Sequence, residues 1–261
     1  MKKLILGVAI FMVCGSAFAG ETPIKNWDGF YLGGNLGAVH ESASGTSDFL
    51  DTGLTAFHTN PQNNSFSNTR FIGGVSAGYN WQFAPRWVAG IEADWDFTHL
   101  GYSFCRQTNA VSVACRDNGF GFESASSTTD WVATARARIG FTLDNFLLYG
   151  TGGAALGRVE TTLTQSCLVA GCGASSTQLL VSSSNSTNKV GWVAGLGAEA
   201  ALFGNWSGKF EWLHVDLGTI SNSLTAVGSS GTQTTTWSRT ERYDEFRLGL
   251  NYRFAASDFR P

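Results

Sequence analysis

The sequence predicts an all-β fold: an eight-stranded antiparallel transmembrane β-barrel with short periplasmic turns and four long extracellular loops. Three observations carry this expectation. Eight stretches of about ten residues alternate with period two, which is strand spacing. The connections between them are alternately short and long, the layout of an outer-membrane barrel. Beyond the N-terminus no run reaches the roughly 18 consecutive apolar residues that a membrane-crossing helix needs.

The chain opens with Lys2 and Lys3, an apolar run over residues 4–13, and Ala17-Phe18-Ala19. These are the parts of a secretory signal peptide cleaved after Ala19, and the run is too short to span a bilayer. Cys14 lacks the preceding Leu and small residues of lipoprotein processing and is read as an ordinary signal-peptide cysteine. The expected organisation is a signal peptide at 1–19, a barrel domain at 20–254 and a short C-terminal extension at 255–261.

The eight stretches are residues 30–39, 71–82, 87–97, 131–141, 146–157, 190–202, 206–216 and 243–254. In the third, Trp87, Ala89, Ile91, Ala93, Trp95 and Phe97 form one face and Val88, Gly90, Glu92, Asp94 and Asp96 the other. In the fourth, Trp131, Ala133, Ala135, Ala137, Ile139 and Phe141 alternate with Val132, Thr134, Arg136, Arg138 and Gly140. The sixth sets Trp192, Leu196, Ala198 and Leu202 against Gly195, Gly197 and Glu199; the seventh sets Trp206, Phe210 and Trp212 against Lys209 and Glu211. In the eighth, Phe246, Leu248, Leu250, Tyr252 and Phe254 alternate with Glu245, Arg247, Gly249, Asn251 and Arg253.

Alternation alone also suits a soluble sandwich or a lipocalin-like barrel with its apolar face inward. The connections separate the two. Residues 83–86, 142–145 and 203–205 are short, whereas 40–70, 98–130, 158–189 and 217–242 are long, in strict alternation. A spanning sheet must close, because hydrocarbon offers no water to unpaired edges. The apolar faces then look outward to lipid, with Phe30, Trp81, Trp87, Phe146, Trp206 and Phe254 toward the turn end. Phe71, Trp95, Trp131, Trp192 and Phe246 lie toward the loop end, as interfacial belts require.

Composition agrees. Charged residues make up 14% of the 261-residue chain, against roughly 25% in soluble domains. The 32 glycines approach twice the usual share of about 7%. A net charge of −3, falling to −5 once Lys2 and Lys3 are removed, gives no basic field for nucleic acid. A mean hydropathy of −0.03 excludes a helical membrane protein.

Eight strands enclose a space that side chains fill, whereas water-filled porins use about 16 to 18. The inward set is Glu92, Asp94, Asp96, Arg136, Arg138, Glu199, Lys209, Glu211, Glu245, Arg247 and Arg253. Six acids facing five bases predict a nearly neutral salt-bridge network, a plug rather than a pore. Strand positions place Glu92 opposite Arg136 and Glu199 opposite Lys209. The carboxylates Asp94 and Asp96 belong to this network, and no catalytic residue is assigned.

Four cysteines remain after processing, Cys105 and Cys115 in the second long loop, Cys167 and Cys172 in the third. An oxidising envelope favours disulfides. Three pairings are formally open, and closure within each loop is the simplest. No His lies near either pair with ligand spacing, so neither a metal nor a cofactor is expected. The loops are rich in Ser, Thr, Asn and Gly, as in residues 182–188, which predicts solvated segments without a recognisable pocket.

Several segments carry a resemblance. Trp27-Asp28-Gly29-Phe30-Tyr31-Leu32-Gly33-Gly34 resembles the opening strand of the outer-membrane immunogenic, "porin family" proteins, OmpA-like eight-stranded barrels of Gram-negative bacteria. The match continues through Gly74-Val75-Ser76-Ala77-Gly78-Tyr79-Asn80-Trp81, Gly90-Ile91-Glu92-Ala93-Asp94 and Tyr149-Gly150-Thr151-Gly152-Gly153. It extends to Glu211-Trp212-Leu213-His214-Val215-Asp216-Leu217-Gly218 and Leu250-Asn251-Tyr252-Arg253-Phe254. It covers nearly every strand and none of the loops.

The resemblance implies fold and location more than function. Its leading implication is a structural, surface-exposed barrel that supports the envelope and displays its loops. A narrow channel for small solutes and ligand capture or adhesion are the alternatives. Haem is one such ligand, with His40, His58 and His99 as loop candidates. Some lipid-modifying barrels place a His and an acid where His214 and Asp216 share a face, but no Ser nucleophile completes a convincing triad. The expected partners are outer-membrane lipids and lipopolysaccharide, the barrel-assembly machinery reading Tyr252 and Phe254, and surface or host ligands. Two features depart from the pattern: seven residues follow Phe254, and His214 stands where the family usually has an aromatic.

Overall fold

The computed structural model describes residues 26–51, 58–107, 110–112, 122–167, 179–228 and 231–254. Its strands are β1 (Gly29–Asp51), β2 (His58–Ala84), β3 (Trp87–Gln107), β4 (Ala110–Ser112), β5 (Phe122–Leu143), β6 (Phe146–Cys167), β7 (Leu179–Ala201), β8 (Trp206–Gly228) and β9 (Gly231–Arg253). Each long strand pairs antiparallel with its neighbours. Pairing of β1 with β9 and of β2 with β3 closes an eight-stranded ring; β4 is a three-residue addition to β3. Arg253 opposite Tyr31 completes the closure.

The turn end is tight because its sequence supplies the required backbone. Pro85 and Arg86 separate the paired Ala84 and Trp87. Asp144 takes a φ of 50° between the paired Leu143 and Phe146, and Gly204 takes 53° between β7 and β8. Asn and Asp tolerate this left-handed region best after Gly.

All eight expected stretches are strands, but the strands run on far past them, to between 21 and 27 residues. Residues 182–188, expected as loop, lie within β7. The physical reason on β6, β8 and β9 is a change on the outward face only, whereas on β7 both faces turn polar, with Ser183, Asn185 and Thr187 at the inward parity. The outward side turns from apolar to Ser and Thr, which pair across strands, as in Thr162 with Ser184 at 2.9 Å and Thr219 with Thr240 at 3.1 Å. The inward side keeps its period, through Val159, Leu163, Ile220, Leu224 and Trp237.

The apolar outward band therefore has a definite height. On β3 it runs from Trp87 to Phe97; at about 3.3 Å per residue and a tilt of about 40°, this rises about 25 Å, the thickness of a barrel's lipid-facing band. Phe71, at its upper edge, is 89% exposed. Trp95 and Trp131 stack there at 4.6 Å.

Just above the band two ladders stop. The β2–β3 pairing ends at Ile72 with Thr98, and the β7–β8 pairing ends at Trp192 with Asp216. The other six continue upward, for example to Cys167 with Leu179 and to Gly228 with Gly231. The second break coincides with a bulge between Asp216 and Gly218, where Gly218 adopts φ 77° and donates its N–H to Asp216 Oδ1 at 2.7 Å. Bulges re-aim strands in this way. Above the breaks the ring becomes two facing sheets, β8-β9-β1-β2 and β3-β5-β6-β7. Ile220, Leu224 and Trp237 of the first, with Phe66, pack against Ala125, Val159 and Leu163 of the second.

Candidate functional site: the sealed lumen

The inward residues form layers. At the turn end Trp27 is fully buried against Val88, Leu147 and Tyr149. Its backbone N–H donates to Gln82 Oε1 at 2.9 Å, and the Arg253 guanidinium lies 4.8 Å from its ring centre. Arg253 Nη1 also donates to the Asn26 carbonyl. The segment before β1 thus folds inward as a cap.

Above the cap lies the charged network. Glu92, Asp94, Asp96, Arg136, Arg138, Glu199, Lys209, Glu211, Glu245 and Arg247 have side chains no more than 2% exposed. Arg136 donates to Glu92, to Asp94 Oδ2 at 2.7 Å and to Glu211 Oε1 at 3.4 Å. Arg247 donates to Asp96 Oδ2 at 2.7 Å, Glu211 Oε2 at 2.9 Å and Asp94 Oδ2 at 3.1 Å. Two guanidiniums therefore bridge carboxylates of β3 and β8 across the lumen. Lower down, Arg138 reaches Asn80 Oδ1 at 2.8 Å and Glu199 Oε2 at 3.4 Å, with the rings of Tyr31 and Tyr149 against its plane.

Ladder position and ionic partner are not the same thing here. Glu92 faces Arg136 and Glu199 faces Lys209, as strand positions require. Lys209, however, gives its ammonium to Glu92 at 2.9 Å, across the barrel, while Glu199 accepts from Ser207, Asn251 and Arg138. A narrow lumen brings long side chains from opposite walls to its axis, so neighbours in register need not pair. Two expected members stand apart. Arg253 belongs to the cap, because it ends β9 at the rim. Glu245 meets Arg247 only at 3.7 Å, with neither carboxylate oxygen accepting a hydrogen bond.

Uncharged partners and a second cluster escaped the sequence reading. Tyr31 donates to Glu92 at 2.6 Å, Tyr149 to Glu211 at 2.8 Å, Asn35 to Asp96 at 2.8 Å and Thr134 to Asp94 at 2.9 Å. Gly78 and Gly197 leave the room these tyrosines need: a Cβ on either would sit within 2.3 Å of a tyrosine ring. Inward parity opposite glycine was the available signal. Above the network an apolar layer of Val39, Leu100, Val193, Leu213 and Tyr243 seals the lumen. Beyond it Arg239 pairs with Glu41 and with Glu241 at 2.9 Å. These three fell in expected loops.

Other expected residues lie elsewhere. His214 points outward beside Trp192, its Nδ1 2.9 Å from Asp244 Oδ1, while Asp216 accepts from Arg242 at 2.8 Å. His214 and Asp216 are thus engaged with different partners. His40 and His99, expected in loops, are outward strand residues: His40 contacts Thr69 and Ser67 hydroxyls, and His99 lies 2.8 Å from Asp130. The backbone of Cys105 is in β3 and that of Cys167 ends β6. Their side chains, with Cys115, Cys172 and the side chain of His58, lie outside the described residues, as do 1–19 and 255–261. Tyr252 packs edge-on to Trp206 and to Phe254, each at 5.1 Å, and Phe254 donates its N–H to Phe30 at 2.9 Å. Among the described residues no His, Cys, Asp and Glu group has metal-binding geometry.

Comparison with known proteins agrees with this architecture. Residues 5–254 match the family described as outer membrane protein beta-barrel domain. The chain is 31% identical over 284 residues to the 31 kDa outer-membrane immunogenic protein of Brucella melitensis biotype 1, covering 97% of this chain and all of that protein. It is 30% identical over 201 residues to the 22 kDa outer membrane protein of Rhizobium leguminosarum bv. viciae, covering 76% of this chain and 69% of that one. The crystal structure of the outer membrane protein OprG from Pseudomonas aeruginosa aligns with 88% of this chain and all of its own, at 11% identity and a TM-score of 0.46.

Proposed function

Because this chain belongs to the outer membrane protein beta-barrel domain family and resides in the outer membrane, we propose that it is a closed structural barrel that supports the envelope and holds a surface extension outside the membrane. The observation that carries this reading is the pair Arg136 and Arg247, which fill the lumen centre by bridging Glu92, Asp94, Asp96 and Glu211. An ion moving through would have to separate these groups. Breaking one partner away from a buried pair costs about 3 to 5 kcal/mol, and several would have to part together.

Lipid and lipopolysaccharide contact the apolar band, the assembly machinery reads the Tyr252 and Phe254 end, and surface ligands meet the two-sheet extension. The hydroxyl-covered exterior of that extension suits contact with a hydrated surface.

Planar-bilayer recording tests the plug. The refolded barrel should show no steady conductance. A stable single-channel current, unchanged by Trp27→Ala or Arg136→Ala, would favour the narrow-channel reading instead. Deletion of the gene should weaken the envelope, measured as sensitivity to detergent.

A further inference from the structure

The two breaks above the band leave four strand edges, and they are not equivalent. The β2 edge is interrupted at Pro61, which has no N–H to donate, and the β3 edge is covered at residues 105–107 by β4, although residues 62–69 and 98–104 between them carry no such guard. The opposite break has neither device. From residue 181 to 188 on β7, and from 218 to 228 on β8, there is no Pro and no charge. No ladder pair joins these segments among the described residues. At the base of the gap Lys189 Nζ donates to the Thr219 carbonyl at 3.0 Å, satisfying one acceptor of the β8 edge. The rest of each edge presents backbone donors and acceptors in a row, which native proteins normally guard.

We propose that a second copy of this chain closes this gap, in a side-by-side dimer where β7 of each copy pairs antiparallel with β8 of its partner. The geometry favours this occupant. The two edges run in opposite directions, so a single added strand can be antiparallel to only one. Copies inserted in one membrane share an orientation, and a twofold axis along the membrane normal sets β8 of one against β7 of the other, twice. Both ladders are then antiparallel and self-complementary, as a closed twofold interface requires. The sheet β3-β5-β6-β7 of one copy runs on into β8-β9-β1-β2 of the other, with hydroxyl faces still outward. Below the gap the outward face of β7 alternates large and small residues, Trp192 and Leu196 with Ala194, Ala198 and Ala200, an apolar surface that a second band can meet.

A photo-activated benzoylphenylalanine placed at Ser186 or Ser223 in intact outer membranes tests the proposal. Irradiation should give a product of twice the chain mass, with the Ser186 probe joined to a peptide from 217–228. The same probe at Thr236, inside a paired sheet, should give none. Product at monomer mass only, a link within one chain, or a link to a foreign protein overturns it. Adjacent variants Asn185→Pro and Ser186→Pro add a second reading. One of the two removes a donor facing the gap, so it should abolish the dimer product from a probe at Ser223 while keeping the heat-modifiable migration of a folded barrel. Dimer product undiminished in both folded variants also overturns the proposal.

Discussion

Lys209 Nζ lies 2.9 Å from Glu92 Oε2 on the far side of the lumen, although its ladder neighbour is Glu199. A double-mutant cycle separates the two relationships. Lys209→Met with Glu92→Gln should show a coupling of about 1 to 3 kcal/mol, and Lys209→Met with Glu199→Gln a much smaller one. Urea unfolding in lipid vesicles measures both. Equal couplings would mean that register, not reach across the lumen, sets the pairing.

Arg136 is the counterpart test. Arg136→Ala leaves Glu92, Asp94 and Glu211 short of a cation and should cost about 3 to 5 kcal/mol. Combining Arg136→Leu with Glu92→Leu should cost less than the sum of the two single changes. It should not be neutral, because Lys209 and Tyr31 lose Glu92 as well. Strict additivity in the same unfolding assay would show that the two side chains do not interact.

Gly197 lies under the Tyr149 ring. Gly197→Ala forces that ring aside and removes its bond to Glu211, a loss of about 1 to 3 kcal/mol. Tyr149→Phe removes only the bond and should cost less. An alanine variant as stable as the parent would show that the ring has room the packing does not suggest.

The Trp27 cap is open to a similar test. Trp27→Ala empties a fully buried site and should lower stability by about 3 to 5 kcal/mol. The strand content seen by circular dichroism should not change, since Trp27 precedes β1. An unaltered unfolding midpoint would remove the cap from the list of stabilising contacts.

Phe254 closes β9 against Phe30 and Tyr252. Phe254→Ala should slow assembly into the heat-modifiable form, whereas deleting residues 255–261 should not. Equal folding of the wild type and Phe254→Ala on gels would separate the aromatic end from insertion.

The band was legible in the sequence because two signals coincide there: inward Glu92, Arg136 and Arg247 alternate with outward Trp, Phe and Leu. Above it only one survives. Ile220, Leu224 and Trp237 keep the inward period, but Thr219, Ser221 and Ser223 look like loop composition when read alone. Hence strand length was underestimated, and Glu41, Arg239 and Glu241 were missed with it. Ionic partners were illegible for another reason: alternation gives the face and the height of a side chain, and Lys209 and Glu92 come from strands that are not neighbours in the ring.

Arg247 stands on β9, the last strand of the chain, and touches carboxylates contributed by β3 and β8. Without that strand, Asp96 has no cationic partner among the described residues, and Asp94 and Glu211 lack one of theirs. A chain stopped before residue 247 would enclose surplus negative charge along with an open seam. The same strand thus zips the seam and supplies the cation that Asp96 lacks, so closing the ring and balancing the charge inside it are one event.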